Sequence, residues 1–185
     1  MKKFKILFIL ANLILLNSCN FSNSKKPEII EIKNNNKSEI KIKEIKVDGY
    51  LGNYFKIKNF LVNDDSKNSH EALFEFEKSI KSIETIKFSD TDQIKIQSII
   101  NNILNNLSKM KSESIKIQRL YFEKLSQNVL NLINIVDSEI KVFHQYCPMF
   151  NENKGGMWLS SSKEIFNPLF GSSMLKCGYV KSEIN

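Results

Sequence analysis

From Val47 to Val136 the apolar residues recur in steps of three and four, a spacing that belongs to helices with one buried face. Tyr50, Tyr54, Ile57 and Leu61 share one face of a first helix, with Leu51, Phe55 and Val62 beside them. After the polar break Asn63-Asp64-Asp65, a second helix carries Leu73, Phe76, Ile80 and Ile83. A third stripe runs through Ile96, Ile100, Ile103, Leu107 and Met110, and a fourth through Ile115, Phe122, Leu125, Val129, Leu132 and Val136. Ser89 fits the N-cap of the third helix, with Asp92 placed where a carboxylate meets exposed amides. Four amphipathic helices joined by short polar links specify an all-α, up-down bundle of about four helices. Between Lys109 and Ser114 the pattern leaves open whether the third and fourth are continuous.

Ahead of the bundle, Lys2, Lys3 and Lys5 precede an apolar run from Ile6 to Leu16, interrupted only by Asn12. Spanning a bilayer core takes about 20 apolar residues, so this run has the length of a signal sequence and not of a membrane span. Leu16-Asn17-Ser18-Cys19 follows it and resembles the bacterial lipobox, with Leu three places before the cut and a small residue just before the cysteine. Residues 1–18 are therefore expected to be a cleaved signal and Cys19 the lipidated N-terminus that anchors the chain to a membrane. Residues 19–46, rich in Lys, Asn, Ser, Glu and Ile, read as a flexible tether of roughly 30 Å typical reach. The expected location is the cell envelope, facing the periplasm. Asn20, where an aspartate often signals inner-membrane retention, favours the outer membrane.

Loss of the signal removes three lysines and no acid, so the net charge falls from +7 to +4. Lysine supplies all the positive charge except Arg119. A nucleic-acid binder would pair a basic face with a recognisable motif, and none is present, so no nucleic-acid partner is expected. Nothing in the helices has the pattern of a catalytic site. His70, alone near a helix start, reads as a surface residue, and Asp64-Asp65 as carboxylates serving a helix N-terminus.

At Phe143 the composition changes, and the domain from 47 to 185 is expected to close with a small irregular segment, residues 143–180. It holds both remaining cysteines, Trp158, Met149, Met157 and Met174, and four of the six glycines. Cys147 and Met149 are two apart, so on extended chain their sulfurs share a side. Met174 and Cys177 are three apart, so one turn puts them on a common face. Two thiolates with two thioethers form the soft donor set that suits Cu(I). Zn(II) suits thiolate and nitrogen, and His144, Cys147 and Cys177 offer three such ligands with no fourth in view. Cys147 and Cys177 equally suit a disulfide, which an exported compartment permits and which would add roughly 3–4 kcal/mol by closing a thirty-residue loop. Gly155-Gly156 is too short for a phosphate loop, and Cys147 with His144 lacks an orienting acid for nucleophilic catalysis, so no enzyme is expected.

Four stretches in this segment carry a resemblance: Tyr146-Cys147-Pro148-Met149, Lys154 to Ser160, Glu164 to Gly171, and Met174-Leu175-Lys176-Cys177-Gly178. They resemble a bacterial periplasmic domain of unknown function, found alone in small lipoproteins and fused to the adaptor subunits of heavy-metal and copper efflux pumps. The resemblance covers about Val47 to Val180, with the helical part alike in pattern only. Leu169 stands where that family usually has tyrosine. It implies a helical bundle closed by a cysteine-methionine segment, a role in copper handling, and an efflux component as partner. Two readings follow. One is a lipid-anchored metal-binding protein with Cys147, Met149, Met174 and Cys177 as ligands and His144 as a further group. The other is a disulfide-locked helical module that docks on an envelope partner and binds no metal.

Overall fold

The computed structural model describes residues 49–112, 114–136 and 141–184. The expected signal, Cys19 and the expected tether lie outside them. Four long helices are formed: α1 (Gly49–Val62), α2 (Ser66–Lys81), α3 (Asp90–Met110) and α4 (Ile115–Val136). Each helix packs on the next in sequence, and no described helix is long and apolar enough to cross a membrane. Caps set the boundaries. Asp65 accepts the Asn68 N–H at 3.0 Å to start α2. Ser89 accepts the Asp92 N–H at 3.2 Å to start α3, and the Asp92 carboxylate accepts from the Ser89 hydroxyl in return. α3 and α4 are separate, divided at Lys111–Ser114.

The apolar stripes meet in one core. Leu51, Tyr54, Ile57, Leu61, Leu73, Phe76, Ile80, Ile96, Ile103, Phe122, Leu125, Val129 and Leu132 are all essentially inaccessible to solvent. Tyr54 joins the ends of the series, its ring stacked 5.1 Å from Phe122 of α4.

The C-terminal segment corrects one expectation. The fold is mostly helical but not all-α, because residues 143–180 are not irregular throughout. They carry most of a three-stranded antiparallel sheet: β1 (Val142–Cys147), β2 (Gly156–Ser160) and β3 (Tyr179–Ile184), in the order β2-β1-β3. Helical periodicity is a local spacing repeated over many turns, whereas strands of five or six residues among glycines and prolines leave too few alternations to stand out. A turn at Phe150–Asn153 links β1 to β2, with Asn151, Glu152 and Asn153 all at positive φ.

β2 docks the sheet on the bundle through backbone groups of its outer edge. The Leu159 N–H donates to the Tyr54 hydroxyl at 3.0 Å, Tyr54 to Ser126 Oγ at 2.6 Å, and Ser126 to the Phe122 carbonyl at 2.8 Å. The Met157 N–H donates to the half-buried Glu123 carboxyl, whose pKa burial raises despite that bond. An edge strand exposes unpaired amides, and here α1 and α4 cover two of them. At the opposite edge, the register of β3 slips at Lys181, which is left without a partner between Val180 and Ser182.

Candidate functional site

β1 is the central strand, and its alternation sorts the side chains. Phe143, Gln145 and Cys147 are buried, while His144 and Tyr146 are half-buried on the other side. Cys147 ends the strand. Cys177 lies just before β3, whose first pair with β1 is Tyr179 opposite Tyr146. The Sγ atoms of Cys147 and Cys177 are 2.6 Å apart, closer than two unbonded sulfurs pack and about half an ångström beyond a disulfide bond of ~2.05 Å. Burial, then the neighbouring Cys147 thiol, pushes the Cys177 pKa up to about 11, against the pull of the Met149 N–H on its sulfur. In the reduced pair Cys177 is protonated at neutral pH; it is half-exposed, and Cys147 is fully buried.

The surroundings of this pair are tightly bonded. The Trp158 indole N–H donates to Gln145 Oε1 at 2.7 Å, and the Gln145 amide donates to the carbonyls of Ser162 at 2.8 Å and Glu164 at 3.2 Å. Trp158 also lies against Gly178, where a Cβ would stand 2.9 Å from its ring and 2.9 Å from the Tyr146 carbonyl. Asn167 is fully buried and uses all its polar groups. Its side-chain amide donates to the Cys177 carbonyl at 2.8 Å, and its Oδ1 accepts from the Leu169 N–H at 2.8 Å. Its own N–H donates to Leu175, and its carbonyl accepts from Gly171, both at 2.9 Å.

The turn that Asn167 organises is fastened to the bundle by one ion pair. Arg119 of α4 donates through Nε to the Pro168 carbonyl at 3.0 Å. Its Nη2 donates to the Leu61 carbonyl at 2.8 Å and to Asp64 Oδ1 at 2.5 Å. Asp64 in turn accepts from the Ser172 N–H at 3.3 Å and from its hydroxyl. Gly171, at φ 60°, is pressed so closely on this pair that a Cβ would fall 2.0 Å from Arg119 and 2.1 Å from Asp64. Burial acts to raise the Asp64 pKa, but the bonds from Ser172 and Arg119 outweigh it and hold the carboxyl below its ordinary value.

Residues 50–141 match the model of a family described as a protein of unknown function, DUF3347. No curated protein and no solved structure matches the chain. The DUF3347 match spans the four helices and stops just short of β1, so Arg119 and Asp64 lie inside it and both cysteines lie outside.

Against this frame the sequence-derived ligands divide. Cys147 and Cys177 are together. Met149 is half-exposed two residues beyond Cys147, with its backbone N–H on the Cys177 sulfur. Met174 is half-buried at the end of the 3-10 turn Gly171–Met174, and its carbonyl accepts the Cys177 N–H at 3.0 Å. His144 is not with them. Strand alternation puts it on the face opposite Cys147, its Nε2 buried without a bonding partner and its pKa lowered by burial and then by Lys181. Among the described residues no three of His, Cys, Asp and Glu are grouped to hold a metal ion. His70 packs edge-on against Phe74 on α2, far along the chain from the cysteines. Of the two acids after α1, Asp65 serves a helix N-terminus as expected, whereas Asp64 belongs to the Arg119 clamp. Asn167, Arg119 and Gln145 escape sequence reasoning. The one available signal is that Arg119 is the sole arginine in a chain otherwise charged by lysine.

Proposed function

We propose that this protein is a lipid-anchored envelope protein, held through Cys19 and facing the periplasm, that binds a soft metal ion, Cu(I), at the Cys147–Cys177 pair. The observation that carries the reading is the meeting of two cysteine sulfurs at the half-exposed end of a sheet, with the Met149 N–H on one of them. Thiol and thioether sulfur is the donor chemistry that favours Cu(I) over harder ions. Met149 and Met174 are the thioether candidates. The position of His144 across the strand argues against a nitrogen ligand, and so against Zn(II). A bound cation would supply the charge that lets both thiols give up protons despite the elevated pKa of Cys177, making uptake release protons. The family resemblance of the 146–178 motif supports a context of copper or heavy-metal efflux, with an efflux component as the partner. No catalytic residue is proposed.

The same contact favours a second reading, in which Cys147 and Cys177 are joined as a disulfide that locks a helical interaction module. The two readings separate in one experiment: titration of the anaerobically reduced chain with Cu(I) against a competing chelator. Metal binding predicts about one Cu(I) per chain, lost in Cys147→Ser and in Cys177→Ser and weakened in Met149→Leu and Met174→Leu. Oxidation to the disulfide should block uptake. Reduced, folded protein that takes up neither Cu(I) nor Zn(II) would leave only the locked module.

A further inference from the structure

Cys147 and Cys177 are held in different ways. Cys147 belongs to the central strand, paired with Gly156 on β2. Cys177 belongs to no strand, and the pairing of β3 with β1 begins only at Tyr179. Its two backbone bonds go to the preceding turn: its N–H to Met174, and its carbonyl from the buried Asn167 amide. That turn is fastened by Arg119 at Pro168 and by Asp64 at Ser172, with Gly171 seated on both. A continuous set of bonds thus runs from the end of α1 and the side of α4 to the backbone of Cys177.

We propose that Asn167 and the Asp64–Arg119 clamp are positioning residues that hold the Cys177 sulfur against Cys147, so that the bundle governs how readily the pair closes. This rests on the reading that the pair is the functional centre. The physical basis is proximity: two groups fixed in reacting geometry behave as if at very high local concentration, and that advantage falls as either group gains freedom. Arg119 cannot be replaced by lysine here. Its fork reaches three acceptors on two segments, Leu61 and Asp64 at the end of α1 and Pro168 in the C-terminal turn, and a single ammonium on a flexible stem does not reproduce it.

The test is the equilibrium of the purified chain with reduced and oxidised glutathione. The protein's two thiols form one S–S bond and give up two protons and two electrons. One glutathione disulfide accepts them and becomes two thiols. Asn167→Ala should shift this equilibrium toward the dithiol by roughly tenfold, the scale of one lost buried hydrogen bond. Asp64→Asn and Arg119→Lys, at more exposed positions, should shift it the same way by a smaller factor while the fold is retained by circular dichroism. Tyr54→Phe is the control: it breaks the relay between α1, α4 and β2 and lowers stability without touching the clamp. The proposal predicts that this variant keeps the wild-type equilibrium. Folded Asp64→Asn and Arg119→Lys chains with a wild-type equilibrium would overturn it, and so would a Tyr54→Phe shift as large as theirs. Because the readout contains no metal, a chain that fails to bind Cu(I) but shows these shifts removes the metal reading and keeps the clamp.

Discussion

Gly178 shows how little room the cysteine pair has. It sits at φ 138° between the Trp158 ring and the Tyr146 carbonyl, one residue from Cys177. Gly178→Ala adds a methyl group where 2.9 Å is available on two sides, one of them backbone, and forces an L-residue into an unfavourable region. The expected cost is roughly 1–3 kcal/mol, measured by denaturant unfolding. A second effect is expected at the thiols: displaced from Cys147, Cys177 should react faster with a bulky thiol reagent than in the wild type. A stability loss with unchanged thiol reactivity would mean that the strain is absorbed in β3 and not at the pair.

At the level of elements, two groups tie stability to pH: Asp64, in the clamp between the bundle and the C-terminal turn, and His144 on the central strand. Asp64 has a folded pKa below its ordinary value of 3.8, so its ion pair contributes fully above that pH. As pH falls below 3.8 the unfolded chain takes up the proton first, and the contribution is gone once the folded carboxyl is protonated. His144 has a folded pKa below its ordinary 6.5, so it too favours the unfolded state as pH falls, starting near 6.5. Unfolding free energy should therefore decline in two windows, the first diminished by His144→Gln and the second by Asp64→Asn, while Glu77, Asp92 and Glu183, whose carboxyls their lysine partners also hold low, keep part of the acid window. A pH profile unchanged by either substitution would show that these groups are not linked to folding. The relay through Tyr54 is neutral, and its loss acts differently. Tyr54→Phe leaves the Leu159 N–H without its acceptor and should cost about 1–3 kcal/mol at all pH values.

For the whole molecule, stability rests on the common core of α1–α4. Ile100 and Leu125 lie in that core, from α3 and α4. Leu125→Asp or Ile100→Asp buries an unpaired carboxylate and should cost at least about 3 kcal/mol, read as a large drop in thermal midpoint. An unchanged midpoint for both would place these residues outside the core. The proposed lipid anchor is tested separately. Cys19→Ala should abolish incorporation of labelled fatty acid and leave the protein released from membranes or stalled as precursor, and a wild-type chain that takes up no label would remove the lipid anchor from the proposal.

The four helices, their caps at Asp65 and Ser89 and the membership of the core were legible in the sequence, because each rests on local spacing repeated over many turns. The proximity of Cys147 and Cys177 was legible as well, in the weaker sense that two cysteines and a turn-rich loop invite it. The sheet was not. Its strands are short and its alternation is broken by the demands of glycine and proline turns, so pairing across the loop decides it, and pairing is a long-range event. Nor could spacing reveal that His144 faces away from Cys147, since that depends on the intervening residues being extended. The roles of Asn167, Arg119 and Asp64 belong entirely to the tertiary structure. Each bonds to a residue that the chain brings near only after folding, 55 positions apart for Arg119 and Asp64 and 108 for Asp64 and Ser172. Periodicity reports which face of an element is apolar, and it carries no record of which polar side chain will meet a particular backbone carbonyl once the elements have packed.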